Sequence, residues 1–271
     1  MAFIALITGA SSGIGEATAR RLARGVGGDE VKLILVARRR DRLDSLAQEL
    51  GGATVVAVDL TTAEAAQTVR GAIEREHGGQ LNLLVNNAGA AWRGSFADTG
   101  WANIDRHMRL NFEAPVRLTE ELLPLLRATA SRASAAPGIK APVSIVNVAS
   151  TAGRVSRPRS AAYSASKFAL IGWSDGLYHE EREHGVHVGL VVPGFVRTEG
   201  FPAAELPKLV VSDPPIVADA IYETGPGGKP ERYVPRWYWI PAALRIIAPG
   251  LLRRALARND FATATATKSD A

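Results

Sequence analysis

Seven short, nearly continuous apolar runs recur along the 271-residue chain, and they constrain its fold more than any other feature. They read "FIALI" (3–7), "VKLILVA" (31–37), "ATVVAVD" (53–59), "LNLLVNN" (81–87), "PVSIVNVA" (142–149), "VHVGLVV" (186–192) and "ERYVP" (231–235). Amphipathic helical patterns separate them, among them "EATARRLARG", "RDRLDSLAQEL" and "TAEAAQTVRGAIEREH". A strand apolar on both faces must be covered on both faces, and strands joined through helices run parallel. The pattern predicts an α/β protein: a doubly wound parallel sheet of about seven strands, with helices on both faces. Residues 1–236 read as one domain, 237–260 as an aromatic and basic amphipathic extension, and 261–271 as a disordered tail with no apolar face to bury. The segment 128–142 reads as a surface connection.

The totals exclude several chemistries. The chain has no cysteine, so it makes no disulfide, no thiolate metal site and no thiol nucleophile. A cytoplasmic location is expected. Basic residues outnumber acidic ones 32 to 27, a net charge of +5 that favours an anionic partner. Nucleic acid is not expected, because no zinc finger, basic zipper or aromatic sheet motif accompanies the charge. His179, His184 and His187 fall on a helix end and the following strand, which argues against a metal cluster. The opening "MAFIALITGA" has no basic leader and reads as a first strand.

In such a sheet, ligands bind beyond the carboxyl ends of the strands, near the reversal of strand order. The first strand runs into "TGASSGIG" (8–15), whose Gly9, Gly13 and Gly15 allow a tight turn that aims backbone N–H groups at a pyrophosphate. The second strand ends in Ala37, Arg38, Arg39 and Arg40 rather than in a carboxylate. An arginine here suits the 2′-phosphate of NADP, so Arg38 is expected to favour NADP(H) over NAD(H), with Arg39 and Arg40 left as a solvated basic loop. In "AAYSASKFAL" (161–170), Tyr163 and Lys167 stand one helical turn apart on one face, with a cation beside a phenol. A free tyrosine has a pKa of about 10, so ionising it near neutrality takes ~4 kcal/mol of preferential phenolate stabilisation.

"TGASSGIG", "NNAG" (86–89), Ser150, "YSASK" (163–167) and "PGFVRT" (193–198) occur in the order and at the spacings of the classical short-chain dehydrogenase/reductase (SDR) family. The resemblance covers nearly the whole chain and implies a Rossmann-type fold and hydride transfer between a carbonyl and an alcohol. It implies a catalytic tetrad of Asn111, Ser150, Tyr163 and Lys167. In it Tyr163 is the acid/base, Ser150 holds the reacting oxygen, and Asn111 anchors water for proton relay through Lys167. Ser150 precedes Tyr163 by 13 residues, the family's spacing. The same resemblance implies cofactor contacts from Gly9, Ser11, Ser12, Gly13, Ile14 and Gly15, from Asp59 and Leu60 on the adenine side, and from Asn87, Ala88 and Gly89. Tyr163, Lys167, Pro193, Gly194 and Thr198 complete that set. No metal is implied. The family commonly pairs its long helices, here about 103–127 and 161–184, which predicts a homodimer or homotetramer.

The segment "EGFPAAELPKLVVSDPP" (199–215) is expected to cover the substrate site, and its apolar character favours a hydrophobic ketone, aldehyde or secondary alcohol. The extension joins Trp237, Tyr238 and Trp239 to aliphatic residues interleaved with arginine. It fits packing on its own domain, a sister subunit, a substrate mouth or the surface of a membrane, the last through 237–258. The rival to an enzyme is a non-catalytic NADP-binding sensor or scaffold.

Overall fold

Apolar runs with no polar face must pair their backbone groups away from water, and the computed structural model, which describes residues 2–133, 138–201, 206–207 and 209–258, pairs them in a sheet. In chain order the elements are β1 (Phe3–Thr8), α1 (Gly13–Leu22), β2 (Val31–Ala37), α2 (Arg40–Glu49), β3 (Thr54–Ala57), α3 (Ala65–His77) and β4 (Leu83–Asn86). Then come α4 (Phe96–Met108), a π-helical turn (Arg109–Glu113), α5 (Ala114–Ala130), β5 (Ser144–Val148), a 3₁₀ turn (Thr151–Gly153) and α6 (Ala161–Glu181). The chain continues through β6 (His187–Pro193), β7 (Phe195–Val196), β8 (Val211–Ser212), α7 (Pro214–Thr224), β9 (Glu231–Val234), α8 (Trp239–Ile247) and α9 (Pro249–Arg258).

The main sheet has the order β3-β2-β1-β4-β5-β6-β9, and every pairing is parallel. Strand order reverses between β1 and β4, which opens a crevice beyond their carboxyl ends. Alternate residues of each strand feed opposite cores. Phe3, Ala5 and Ile7 pack with Leu22, Leu43 and Ile221 of α1, α2 and α7, whereas Ile4 and Leu6 pack with Ile73, Leu122 and Leu177 of α3, α5 and α6. The predicted strands are all present, several trimmed by a residue or two at their ends.

Three features differ from the sequence expectation. The helix expected over 103–127 begins past a break at Gly100, where φ is 55°, continues to Ala130 and is interrupted by the π turn at Asn111. Pro115 lacks the N–H that would close on the Asn111 carbonyl one turn back, and Ala114 N–H instead reaches Arg109 O, five residues away. The end of the 128–142 connection is not surface, since Ile139 and Ala141 are buried. Residues 134–137 and the expected tail, 261–271, lie outside the described residues. The small β7–β8 pair and α7 were not anticipated.

One ion pair ties α5, which continues from the π turn of Asn111, to α6. Arg127 of α5 grips Glu181 of α6 through two parallel hydrogen bonds of 2.8 and 2.6 Å, and the Glu181 side chain is only 2% exposed. Removing the guanidinium strands a buried carboxylate. Arg127→Ala is therefore expected to lower unfolding free energy by about 3 kcal/mol, the low end for a broken buried pair because Arg127 itself is partly solvated. Urea denaturation midpoints of the two proteins check this.

Candidate active site

The glycine turn connects β1 to α1, and its geometry demands the residues found there. Gly9 and Gly13 adopt φ of 67° and 57°, in the left-handed region. A Cβ on Gly15 would lie 2.2 Å from Gly9 O, so the turn closes only around a bare backbone. Ser12 stands at the N-cap of α1 with no side-chain cap bond, leaving the positive end of the helix facing the crevice. The turn after β4 is stitched to the end of β1: Asn87 and Ala88 N–H groups donate to Thr8 Oγ1, at 2.9 and 3.0 Å, and Asn87 Nδ2 donates to Thr8 O. Thr198 closes over the opposite side, its Cγ2 3.0 Å from where a Gly13 Cβ would stand. Pro193 is buried at the end of β6, Gly194 follows it, and Ile14 and Leu60 pack against the two cores.

Arg38 is 77% exposed at the end of β2, with Nη1 3.8 Å from Asp59 Oδ2. Asp59 is held by the backbone N–H and hydroxyl of Thr61, which with Arg38 keep its carboxyl below the usual carboxylate range. Arg39 is not the solvated loop residue expected from sequence. It donates to Ser11 Oγ and Ser11 O at 3.3 Å and pairs with Glu199 at 3.2 Å, bridging β2 to the glycine turn. Arg40 does remain exposed and pairs with Asp44 along α2.

Ser150, Tyr163, Lys167 and Asn111 are brought together by three elements: the 3₁₀ turn after β5, α6 and the π turn. Ser150 caps the 3₁₀ turn after β5, its Oγ accepting from Ala152 N–H at 3.1 Å. Tyr163 sits in the first turn of α6, where burial pushes its pKa above the ordinary tyrosine value, opposed by a hydrogen bond from Ser150 and by the charge of Arg93. One turn on, Lys167 is 4% exposed, and its amine donates to Val148 O at 2.9 Å and is lowered by burial to a pKa of about 8. Sequence spacing put Lys167 beside the phenol; in the structure that amine is held on β5, and Arg93 acts on Tyr163. Asn111, buried in the π turn, clasps Ala90 in both directions at 3.0 Å and donates to Ser166 Oγ. Gly89 fits between them because a Cβ there would stand 2.9 Å from Asn111 Oδ1 and 3.5 Å from Lys167 Nζ.

Several neighbours carried no sequence signal. Arg93 lies over the Phe201 ring and Arg157 over the Phe195 ring, at 5.1 and 4.4 Å, and the two phenyl rings stack on each other. Burial lowers the pKa of both guanidinium groups. His107 and Asn103 stand one and two turns before Asn111. Trp92 N–H donates to His107 Nε2 at 3.0 Å and Asn103 Nδ2 donates to Trp92 O, so three successive turns of one helix face hold the 90–92 loop. Tyr238 of the extension covers Gly194, where a Cβ would meet its ring at 2.3 Å, and donates to Val210 O.

A parallel doubly wound sheet with a tight glycine turn at its reversal point is the architecture of a dinucleotide-binding protein. The chain belongs to the short-chain dehydrogenase/reductase family: the family model for short chain dehydrogenase matches residues 3–206. It is 34% identical over 206 residues to dehydrogenase/reductase SDR family member 7B of Danio rerio, a match spanning 72% of this chain and 61% of that protein. A short-chain dehydrogenase from Streptomyces avermitilis superposes with a TM-score of 0.73 at 27% identity, over 96% of this chain and 99% of that one. An alcohol dehydrogenase from Thermococcus sibiricus, solved with 5-hydroxy-NADP, superposes with a TM-score of 0.70 at 25% identity, over 82% and 89% of the two chains. The family acts on CH–OH groups with a nicotinamide dinucleotide. The residues here fit such a cofactor, since the Gly15 approach, the bare α1 N-terminus and the Arg38–Arg39 pair supply a cradle, a dipole and cations where a dinucleotide's phosphates need them.

Burying Lys167 costs stability in a definite pH window. The folded amine binds its proton less readily than the unfolded one, so the penalty is complete below about pH 8 and fades as pH rises toward the ordinary lysine value of 10.5. After allowance for the lost bond to Val148 O, Lys167→Met is expected to stabilise the cofactor-free protein by roughly 2 kcal/mol at pH 7, with the gain shrinking by pH 10. Urea midpoints at the two pH values measure it.

Proposed function

We propose that the protein is an NADP(H)-dependent oxidoreductase that interconverts a carbonyl and an alcohol on a hydrophobic substrate, with Tyr163 as acid/base. The observation that carries the reading is the convergence of the Tyr163 hydroxyl with Ser150, with Lys167 buried one turn behind. Because burial raises its pKa, Tyr163 rests protonated and is ready to donate to a carbonyl oxygen. Ser150 hydrogen-bonds the same oxygen and fixes its position. The nicotinamide, when bound, supplies or receives the hydride. Lys167, with a pKa near 8, passes a proton toward Tyr163 at neutral pH, and Asn111 holds the loop that walls this route.

Gly9, Ser11, Ser12, Gly13, Ile14 and Gly15 would hold the pyrophosphate, Asp59 and Leu60 the adenine side, and Asn87, Ala88 and Gly89 the floor of the crevice. Pro193, Gly194 and Thr198 would hold the carboxamide end, with Tyr163 and Lys167 at the ribose. The preference for NADP(H) rests on Arg38 beyond β2, with Arg39 anchored on Ser11 beside it. The archaeal relative solved with 5-hydroxy-NADP supports that direction. An apolar substrate is favoured by Phe195, Phe201 and Tyr238 around the mouth. Residues 1–236 would form the catalytic domain, and 237–260 an extension closing one side of it.

Titration of nicotinamide fluorescence with NADPH and NADH tests the cofactor, and turnover on a carbonyl panel tests the chemistry. Arg38→Ala is expected to weaken NADPH binding about tenfold or more and leave NADH binding nearly unchanged. Tyr163→Phe should keep NADPH binding and lose about a thousandfold in turnover. A sensor with no chemistry predicts no change in function from Tyr163→Phe. Exposed Phe96 and Trp101 on α4 and Phe168 on α6 support pairing of the long helices into a dimer or tetramer. Light scattering is expected to return at least twice the 28.8 kDa chain mass, and a monomeric mass would refute the pairing.

A further inference from the structure

The C-terminal extension carries an apolar surface that the oxidoreductase reading leaves unused. In α8, Trp239 and Ile240 recur seven residues later as Ile246 and Ile247, which places all four on one helix face. All four are exposed, Ile246 and Ile247 at 83% and 81%, and Leu251 of α9 is exposed as well. The inward side is firmly seated. Ala242 and Leu252 are buried and, with Tyr238 and Thr151, line a cavity of about 70 Å³ beside the turn that follows Ser150. A two-turn stripe of Trp and Ile held outward by a docked helix is a built surface rather than a frayed end.

Its charge narrows the partner. Between Glu231 and Asp260 the chain has no acidic residue, while Arg236, Arg245, Arg253, Arg254 and Arg258 fall in the same stretch. Arg236, Arg253 and Arg254 are exposed, and among the described residues none of Arg236, Arg245, Arg253 and Arg254 has a carboxylate partner. A second copy of this chain docked here by a two-fold axis would oppose the patch to itself, arginine against arginine. An anionic lipid surface meets both halves of the pattern, headgroups taking the guanidinium groups and the acyl boundary taking Trp239, Ile240, Ile246 and Ile247. Among the described residues no helix is long and apolar enough to cross a bilayer, so the contact is interfacial.

We propose that the exposed face of α8 and the start of α9 seat the protein on an anionic membrane surface. The inference stands apart from the catalytic reading, because vesicle binding and NADPH binding are measured separately. The test is flotation of the full chain with vesicles of phosphatidylcholine alone and with vesicles containing roughly one-third phosphatidylglycerol. Binding is expected to the anionic vesicles only and to weaken with salt. Ile246→Ser/Ile247→Ser and Arg253→Glu/Arg254→Glu should each cut that binding about tenfold or more while leaving NADPH titration unchanged. Absence of flotation with anionic vesicles overturns the proposal, as does flotation unchanged in the Ile246→Ser/Ile247→Ser protein. A fall in light-scattering mass in that variant, with no vesicle binding by the wild type, overturns it in favour of a contact between copies.

Discussion

The central parallel strands of the main sheet are covered on both faces, and that constraint pushes polar chemistry to the strand ends. Within the sheet, residues such as Leu6, Leu35, Leu84 and Ile145 are fully or almost fully buried, and no charge can be accommodated beside them without a partner. The carboxyl ends of the strands are where backbone leaves the ladder. There the chain puts the glycine turn after β1, Arg38 after β2, Asn87 to Gly89 after β4, Ser150 after β5 and Gly194 after β6. The site is thus a consequence of the covering, with each functional group carried on a short excursion whose base is rigid.

The excursions are not free to take any shape. Gly9, Gly13 and Gly15 accept a left-handed or crowded backbone that any side chain would break. Pro115 widens one helical turn so that Asn111 can face the loop at Ala90 rather than its own helix. Lys167 is a local cost, an amine in the core whose hydrogen bond goes to the Val148 carbonyl. Such groups persist because the surrounding elements hold them, and the Arg127–Glu181 grip between α5 and α6 is part of that hold.

The extension adds a second level of organisation. Tyr238 seals Gly194 and reaches the Val210 carbonyl, so the start of α8 is joined to the end of β6 and to the backbone at Val210. Whatever meets its outer face is therefore coupled, through one aromatic ring and a short backbone contact, to the strand end that borders the crevice.

The sequence by itself determined the layered sheet, its parallel sense and the residues that fill the strand ends, because burial periodicity and glycine spacing are local properties of the chain. Tyr163 and Lys167 were legible as a pair by spacing, Ser150 and Asn111 only through the family resemblance, and Arg38 by its place after a strand. The tertiary structure alone decided that Arg39 bridges to Ser11 and that Arg93 is the cation acting on Tyr163. It alone decided that Arg157 lies over Phe195, that Asn103 and His107 clasp the Trp92 backbone, and that Ile246 and Ile247 face outward. Each of these depends on groups far apart in the chain, or on which helix face the rest of the fold leaves open, and no window of sequence contains that information.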